Sequence, residues 1–281
     1  MTQALITPGR SARPRRSARS GSLTATSGLG LGVALLWFSV LVLIPMAMVV
    51  ATAGSEGWTG FWHVVTNSQT FAAVRLTVAE ALLVTAVNVV MGTLIAWVLV
   101  RDRFPGKAIL DVVIDVPFAL PTVVAGLVLL SLYGPESPLG VDVANTRVAV
   151  FLALAFVTLP FIVRTVQPVL EELEADVEEA AASLGATRLT TFWRVILPSL
   201  VPSIAAGAAL SFARAISEYG SLVLLSGNLP NRTEMTSVRV LTFIENGDTT
   251  SAAAVAALML IVALAVIVSL DVIQRRVVRR G

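Results

Sequence analysis

The residue types that usually carry covalent, redox or metal chemistry are scarce in this 281-residue chain. It contains no cysteine and one histidine, His63. Thiolate nucleophiles and cysteine metal sites are therefore excluded, and one imidazole cannot build a catalytic dyad or a metal centre without further ligands. A phosphate-binding loop ends in Gly-Lys-Ser/Thr, but the only lysine, Lys107, is followed by Ala108. We therefore expect no catalytic residues, no metal site and no nucleotide site in this chain.

The most unusual charged residues are Arg214 and Glu218, which stand four positions apart inside an apolar run. Side chains at this spacing share one face of a helix, so the two can form an ion pair. Charges inside lipid are costly, and those that occur there deserve a functional hypothesis. Two interpretations are open: the charges satisfy each other where helices pack, or Arg214 faces a water-filled path and helps an anion to cross.

An ion pair inside lipid must be carried by a long apolar helix, and the composition indicates that the chain contains several such helices. Hydrophobic residues make up 56% of the chain and charged residues 14%, and the mean hydropathy is +0.84. Apolar runs of about 20 residues are long enough for a helix to cross a hydrocarbon core. The sequence predicts an all-α membrane protein with about six transmembrane helices, near residues 29–53, 76–100, 109–133, 148–166, 201–225 and 252–271.

The basic residues predict the orientation of these helices. With the N-terminus inside, 15 of the 20 Lys and Arg residues face the cytoplasm and four face outward, as the positive-inside rule requires. Six spans then place both termini on the cytoplasmic side of the membrane. This distribution explains the pI near 9.6 without a nucleic-acid partner. We expect a disordered basic tail over residues 1–27, a transmembrane domain over 28–274 and a basic C-terminal tail over 275–281.

Two prolines interrupt the third predicted span. Pro117 and Pro121 lack amide hydrogens, so the carbonyls of Val113 and Pro117 lose their helical partners. We expect a kink near the middle of the membrane. Either this kink serves packing or gating, or the amides at the interrupted helix end donate hydrogen bonds to an anion.

The longest cytoplasmic segment, residues 166–198, has a helical periodicity. Apolar residues recur every three or four positions from Leu170 to Leu184, with carboxylates on the other face, which predicts an amphipathic helix. Gly185 stands where a helix C-cap glycine would lie, and a second short helix is expected from Thr187 to Ile196, stopped by Pro198. The periodicity alone is compatible with packing against the membrane domain and with docking on a partner.

The same segment resembles the EAA loop that defines permease subunits of bacterial ABC importers, although Val195 stands where that family usually has Ile. The positions that carry the resemblance are Glu179, Ala180, Ala181, Gly185, Leu197 and Pro198. It implies a type I ABC importer permease, in which this loop forms a coupling helix that enters a groove on the ATP-binding subunit. Small alanines allow helix and groove to approach closely, and the glycine allows the sharp turn.

Three membrane stretches narrow the resemblance to the oxyanion permeases of sulfate/thiosulfate and molybdate importers: residues 117–127, 213–220 and 226–230. Residues 233–236, with Glu245 and Asp248, are most similar to the T-type subunit of the sulfate importer. Ser217 departs from the family, which commonly has Gly there. The resemblance implies a sulfate/thiosulfate permease, with a molybdate or tungstate permease as the alternative. The residues it assigns to the translocation pathway are Pro117, Pro121, Arg214, Glu218 and Gly220.

The resemblance also implies a set of partners. These are a dimer of ATP-binding subunits that holds ATP and Mg, a second, W-type permease subunit, an extracytoplasmic sulfate-binding protein and membrane lipid. This chain then supplies half of the pathway and no cofactor of its own. A passive channel, which is a further alternative, conducts without ATP and has no use for an EAA-type loop. A membrane-embedded hydrolase lacks the nucleophile or metal cluster that it needs.

Overall fold

The computed structural model describes residues 25–173, 181 and 183–278, and every regular element in those ranges is a helix. Two π-helical turns, Ser39–Leu43 and Phe192–Ile196, join α1 to α2 and α8 to α9. The α-helices are α1 (Ala25–Phe38), α2 (Ile44–Ala53), α3 (Gly57–Thr66), α4 (Ser68–Arg101), α5 (Lys107–Ala119), α6 (Thr122–Tyr133), α7 (Arg147–Glu172), α8 (Arg188–Thr191), α9 (Leu197–Ile216), α10 (Gly220–Leu225), α11 (Thr236–Glu245) and α12 (Thr249–Val278).

The number of membrane-crossing helices agrees with the sequence. Among the described residues, five helical stretches are long and apolar enough to cross a membrane, and the bent pair α5–α6 makes six if it counts as one span. The prediction of an all-α membrane protein with about six spans is therefore confirmed.

The first of two compact units extends through Ala47 and contains α1 and the first π-helical turn. The stretch Gly28–Ala53 is one of the candidate spans. Pro45 explains the π-helical turn, because it has no amide hydrogen for a partner four residues back, and the Ile44 amide donates instead to the Ser39 carbonyl, five residues back. Of the predicted tail, residues 1–24 lie outside the described ranges.

In the second unit, α4 and α7 pack side by side in parallel. Asn88 in the middle of α4 donates a hydrogen bond to the Thr158 hydroxyl of α7, at 2.9 Å. Near the C-terminal ends, Arg101 donates to the carbonyl of Leu173, at 3.4 Å. These contacts join residues 70 and 72 positions apart, and only a parallel pair keeps that separation almost constant.

Two buried clusters lie along this pair, and α9 contributes to both. The first cluster, toward the N-terminal ends of α4 and α7, includes Leu76, Val84, Val150, Leu154, Phe212 and Leu222. The second, toward their C-terminal ends, includes Leu99, Ile162, Val166, Leu170 and Leu200. Because the start of α9 belongs to the second cluster and its end to the first, α9 runs antiparallel to the pair.

The third predicted span is broken rather than kinked. The chain turns by 118° between α5 and α6. The α5 helix continues through Pro117, but it ends at Ala119 because Pro121 favours an extended conformation of Leu120, whose ψ is 134°. Pro121 then occupies the N-cap of α6, where a missing amide hydrogen removes no helical bond. Pro121 therefore sets the break.

The prediction that Pro198 stops a short helix is wrong. Helix α8, the π-helical turn and α9 form one stretch from Arg188 to Ile216 that is long enough to cross a membrane. Pro198 lies in the first turn of α9. The preceding π-helical turn, Phe192–Ile196, changes the hydrogen-bond register where the proline ring would otherwise clash. The helix therefore passes through Pro198.

The last helix, α12, continues through Arg275 and Arg276, which the sequence placed in a C-terminal tail, and residues 279–281 lie outside the described ranges. Asp248 precedes this helix, and its Oδ1 accepts a hydrogen bond from the Ser251 amide at 2.9 Å. Hydrogen bonds from the side chain and backbone of Ser251 lower the pKa of the Asp248 carboxyl below its ordinary value. The folded state therefore favours the charged form.

Replacing Asp248 with Ala should speed hydrogen exchange in the first turn of α12, because loss of such an acceptor typically costs about 1 kcal/mol. A lowered folded-state pKa means that the stabilisation is present above the unfolded pKa and is lost as the pH falls through the folded value. Protection in the unmodified chain should therefore decline below about pH 4. Asp248→Asn, which keeps an acceptor but does not titrate, is the control. Unchanged exchange in Asp248→Ala would contradict this role.

Candidate functional site

The last turn of α4 contacts both ends of the candidate coupling loop, which is the segment between α7 and α9. At its start, Arg101 donates to the Leu173 carbonyl that ends α7. The same guanidinium lies 5.9 Å from the ring centroid of Trp97. At the loop's return, Phe192 packs edge-to-face against Trp97 with ring centroids 5.6 Å apart. One turn of α4 therefore holds both ends of the loop.

The predicted turn at Gly185 is confirmed. Gly185 has a φ of +82°, in the left-handed region that favours glycine. The Ala186 amide donates to the Ala181 carbonyl at 3.0 Å, which is the six-to-one bond of a Schellman cap. A Cβ at Gly185 would meet nothing within 4 Å, so the glycine serves the backbone conformation rather than a close contact.

The remaining residues of the EAA-like motif fall in two places. Glu179 and Ala180 belong to residues 174–180, which lie outside the described ranges. Leu197 and Pro198 are the first two residues of α9. The end of the motif is therefore part of a membrane-crossing helix, so a movement of the loop acts directly on α9.

A charged cluster that the sequence analysis missed joins α5 to α7 near the loop. The Nε and Nη2 atoms of Arg164 donate to the two carboxylate oxygens of Asp115, each at 2.7 Å. Its Nη1 donates to Asp111 at 2.7 Å and to Gln167 at 2.6 Å. The i,i+4 spacing of the two aspartates was visible in the sequence, but their partner on another helix was not. This cluster fastens the first half of the broken third span to α7.

The predicted ion pair exists, but a helix break separates its members. Arg214 Nη2 lies 2.7 Å from Glu218 Oε2. Helix α9 ends at Ile216 and α10 begins at Gly220, so the predicted fifth span is interrupted and Glu218 lies in the gap. Glu218 is fully buried, and its Oε1 accepts from both the amide and the hydroxyl of Ser221, each at 2.9 Å. The carboxylate therefore joins the end of α9 to the start of α10.

The breaks in the third and fifth spans meet. A Cβ on Gly220 would lie 2.9 Å from the Val123 amide nitrogen, and one on Gly126 would lie 2.7 Å from the Ser221 carbonyl oxygen. Only glycine permits backbones to approach this closely. The first turns of α6 and α10 therefore form a junction, which we call the α6–α10 junction.

This junction gathers most of the predicted pathway residues. Pro121 caps α6, Gly220 starts α10, and Glu218 and its partner Arg214 lie beside it. Pro117 lies one turn earlier, within α5. Arg214 keeps 29% of its side chain exposed, whereas Glu218 has none. The guanidinium therefore pairs its charge with the buried carboxylate and still presents an exposed surface.

The model of the family "Binding-protein-dependent transport system inner membrane component" matches residues 88–280, more than half of the chain. The chain belongs to this family. The permease is 42% identical over 259 residues to the sulfate transport system permease protein CysT of Salmonella typhimurium, covering 90% of this chain and 94% of that protein. It is 44% identical over 250 residues to CysT of Synechocystis sp., covering 86% and 87% of the two chains.

Solved structures of ABC transporters share the permease's fold. A bacterial alginate ABC transporter in complex with an alginate-bound periplasmic protein matches with a TM-score of 0.74 at 17% identity, over 89% of this chain and 94% of that chain. The inward-facing MetNI methionine ABC transporter matches with a TM-score of 0.58, also at 17% identity, over 73% and 94%. At this identity the match shows the fold alone.

Gly126→Ala should destabilise the permease by about 1–3 kcal/mol, because the added methyl group overpacks the α6–α10 junction. A lower midpoint of thermal unfolding in nanodiscs measures this loss. Gly30→Ala in α1 is the matched control, since a Cβ there meets nothing within 4 Å. Equal midpoints for the two variants would show that the helices are not in close contact.

Proposed function

We propose that this permease is the T-type subunit of an ATP-driven importer of sulfate or thiosulfate. The similarity to sulfate transport system permeases over nearly the whole chain carries the proposal. The same similarity favours sulfate over molybdate or tungstate. The permease supplies half of a translocation pathway and no catalytic residue.

The partners follow from this assignment. A second, W-type permease supplies the other half of the pathway, and an extracytoplasmic binding protein delivers the anion. A dimer of ATP-binding subunits holds ATP and Mg and hydrolyses the nucleotide. Helix α4 contacts both ends of the loop, and this supports docking of that dimer on the loop. A loop that is held at both ends can transmit a movement to the helices that it joins.

In this proposal the permease lies in the bacterial inner membrane, with both termini in the cytoplasm. One end of the parallel pair α4–α7 carries the loop, Arg101, Arg164 and Lys107. The N-terminal ends carry fewer cationic residues, among them Arg75 and Arg147. The positive-inside rule assigns the loop end to the cytoplasm.

A continuous set of contacts leads from the loop to the α6–α10 junction. Movement of the loop acts on α7 at Leu173 and on α9 at Leu197. Arg164 passes the movement of α7 to α5 through Asp111 and Asp115. Helix α5 ends at the break that precedes α6, and α9 ends at the break that precedes α10. The junction between these breaks is the gate, and its separation opens the pathway.

Uptake of radiolabelled sulfate into proteoliposomes that contain the complete importer tests the function. Uptake should require ATP and the binding protein, and excess thiosulfate should inhibit it while excess molybdate should not. ATP-independent flux would identify a channel. Loss of sulfate uptake in excess molybdate would identify a molybdate permease.

The same assay separates the two roles of Arg214. Arg214→Gln alone leaves Glu218 as an unpaired buried charge, which typically costs about 3–5 kcal/mol and impairs assembly. The double variant Arg214→Gln/Glu218→Gln removes both charges and should assemble. Uptake by the double variant should fall about tenfold or more, since a charge-assisted hydrogen bond to an anion is worth about 1.5–3 kcal/mol. Normal uptake by the assembled double variant would show that the pair serves packing alone.

A further inference from the structure

A second charged site lies at the opposite end of α4 and α7 from the coupling loop. A cavity of about 250 Å³ opens there between α4, α7 and the loop that precedes α11. Its wall includes Arg75 and Glu80 of α4, Arg147 at the first position of α7, and Arg232 of the loop. The three arginines are exposed, whereas Glu80 is only 9% exposed.

The polar groups of this arginine pocket have few protein partners. Within the described part of the chain, the guanidiniums of Arg75 and Arg232 form no hydrogen bond or ion pair, and that of Arg147 bonds only to the Arg232 carbonyl, at 3.3 Å. Among the described residues, the buried Oε2 of Glu80 has no hydrogen-bond partner. This oxygen is an acceptor, so water or another donor satisfies it, whereas the guanidiniums of the pocket are donors that an anion can satisfy.

The electrostatics of the pocket favour an anion of charge −2. Three arginines and one glutamate give a formal charge of +2. The N-terminus of α7, a 26-residue helix, lies at the same place and adds the positive end of its dipole. A neighbouring cavity of about 330 Å³ shares Arg147 and Arg232, so these two cations line both cavities.

We infer that the arginine pocket binds a small divalent oxyanion through Arg75, Arg147 and Arg232, and that the negative charge of Glu80 weakens this binding. The inference rests on the proposed function and orientation, which place the pocket on the outer face of a sulfate permease. Planar guanidiniums match pairs of oxyanion oxygens. The cavity is several times the ~30 Å³ that one water occupies, so it accommodates a tetrahedral anion with part of its hydration.

Glu80 gives the site the weak affinity that a transport path requires. The Glu80 carboxylate lines the same pocket as the three arginines, so it offsets part of their positive charge. The buried negative charge also repels an arriving anion. A site on a conduction path must bind firmly enough to admit the ion and weakly enough to release it.

Equilibrium dialysis with radiolabelled sulfate tests the site in the complete transporter without its binding protein, in nanodiscs and without nucleotide. Arg232→Gln and Arg75→Gln should each weaken sulfate binding about tenfold, since each removes a charge-assisted contact. Glu80→Gln should tighten binding several-fold, because it removes the negative charge that repels the anion. Arg239→Gln is the matched control, since Arg239 does not line the pocket and stacks on Phe243 at 4.2 Å. It should leave binding unchanged.

Weaker or unchanged binding by Glu80→Gln would overturn the role of Glu80, and normal binding by both arginine variants would overturn the site. If the arginine variants bind sulfate normally but lose affinity for the external binding protein, the arginines are docking residues and the inference fails. Binding-protein-dependent uptake is measured on the same preparations. ATP-driven sulfate uptake without sulfate binding to the permease refutes the pocket alone, whereas absence of uptake in the unmodified importer refutes the proposed function.

Discussion

A helix that breaks inside a bilayer exposes amide and carbonyl groups that lipid cannot satisfy, and this constraint governs the structure of the permease. In the gap between α9 and α10, Glu218 forms several of the hydrogen bonds that satisfy these groups. The Glu218 carboxylate accepts from the amide and hydroxyl of Ser221, its charge is matched by Arg214, and its carbonyl accepts from the Ser237 hydroxyl at 2.6 Å. A carboxylate with these partners stabilises the break that it occupies.

The two breaks are useful to a transporter because they touch. Long parallel helices such as α4 and α7 move as a unit, since Asn88 and the buried clusters join them along their length. The α6–α10 junction is different, because only the ends of two short helices meet there, and they meet through glycines. In the proposed mechanism, a small displacement delivered by Arg164 or by the start of α9 concentrates at the junction. The candidate coupling loop lies at the other end of these elements, where the proposed ATP-binding subunits dock.

Local chemistry made part of this arrangement predictable. The break at Pro121 follows from proline sterics, and the Arg214–Glu218 pair follows from helical spacing. The break around Glu218 was not predictable, because residues 215–219 contain neither proline nor glycine and part of the stabilisation comes from Ser237 and from α6, which are distant in the sequence. The prediction that Pro198 stops a helix was wrong, because the preceding π-helical turn changes the hydrogen-bond register and accommodates the proline ring. The contacts of Arg164 and the arginine pocket depend on residues far apart in the chain, and local periodicity does not reveal them.

Reversible cross-linking of the α6–α10 junction tests the central claim most directly, that its separation opens the pathway. The chain has no cysteine, so an engineered pair is free of background. Thr122→Cys with Gly220→Cys places two thiols across the junction, since a Cβ on Gly220 would lie 3.0 Å from the Thr122 Cβ. A side chain at Gly220 also crowds the Val123 amide, so uptake is measured relative to the single variant Gly220→Cys. The account predicts that oxidation of the double variant stops ATP-driven sulfate uptake and that reduction restores it, while each single variant is insensitive to oxidation. Full uptake with the disulfide formed would contradict it.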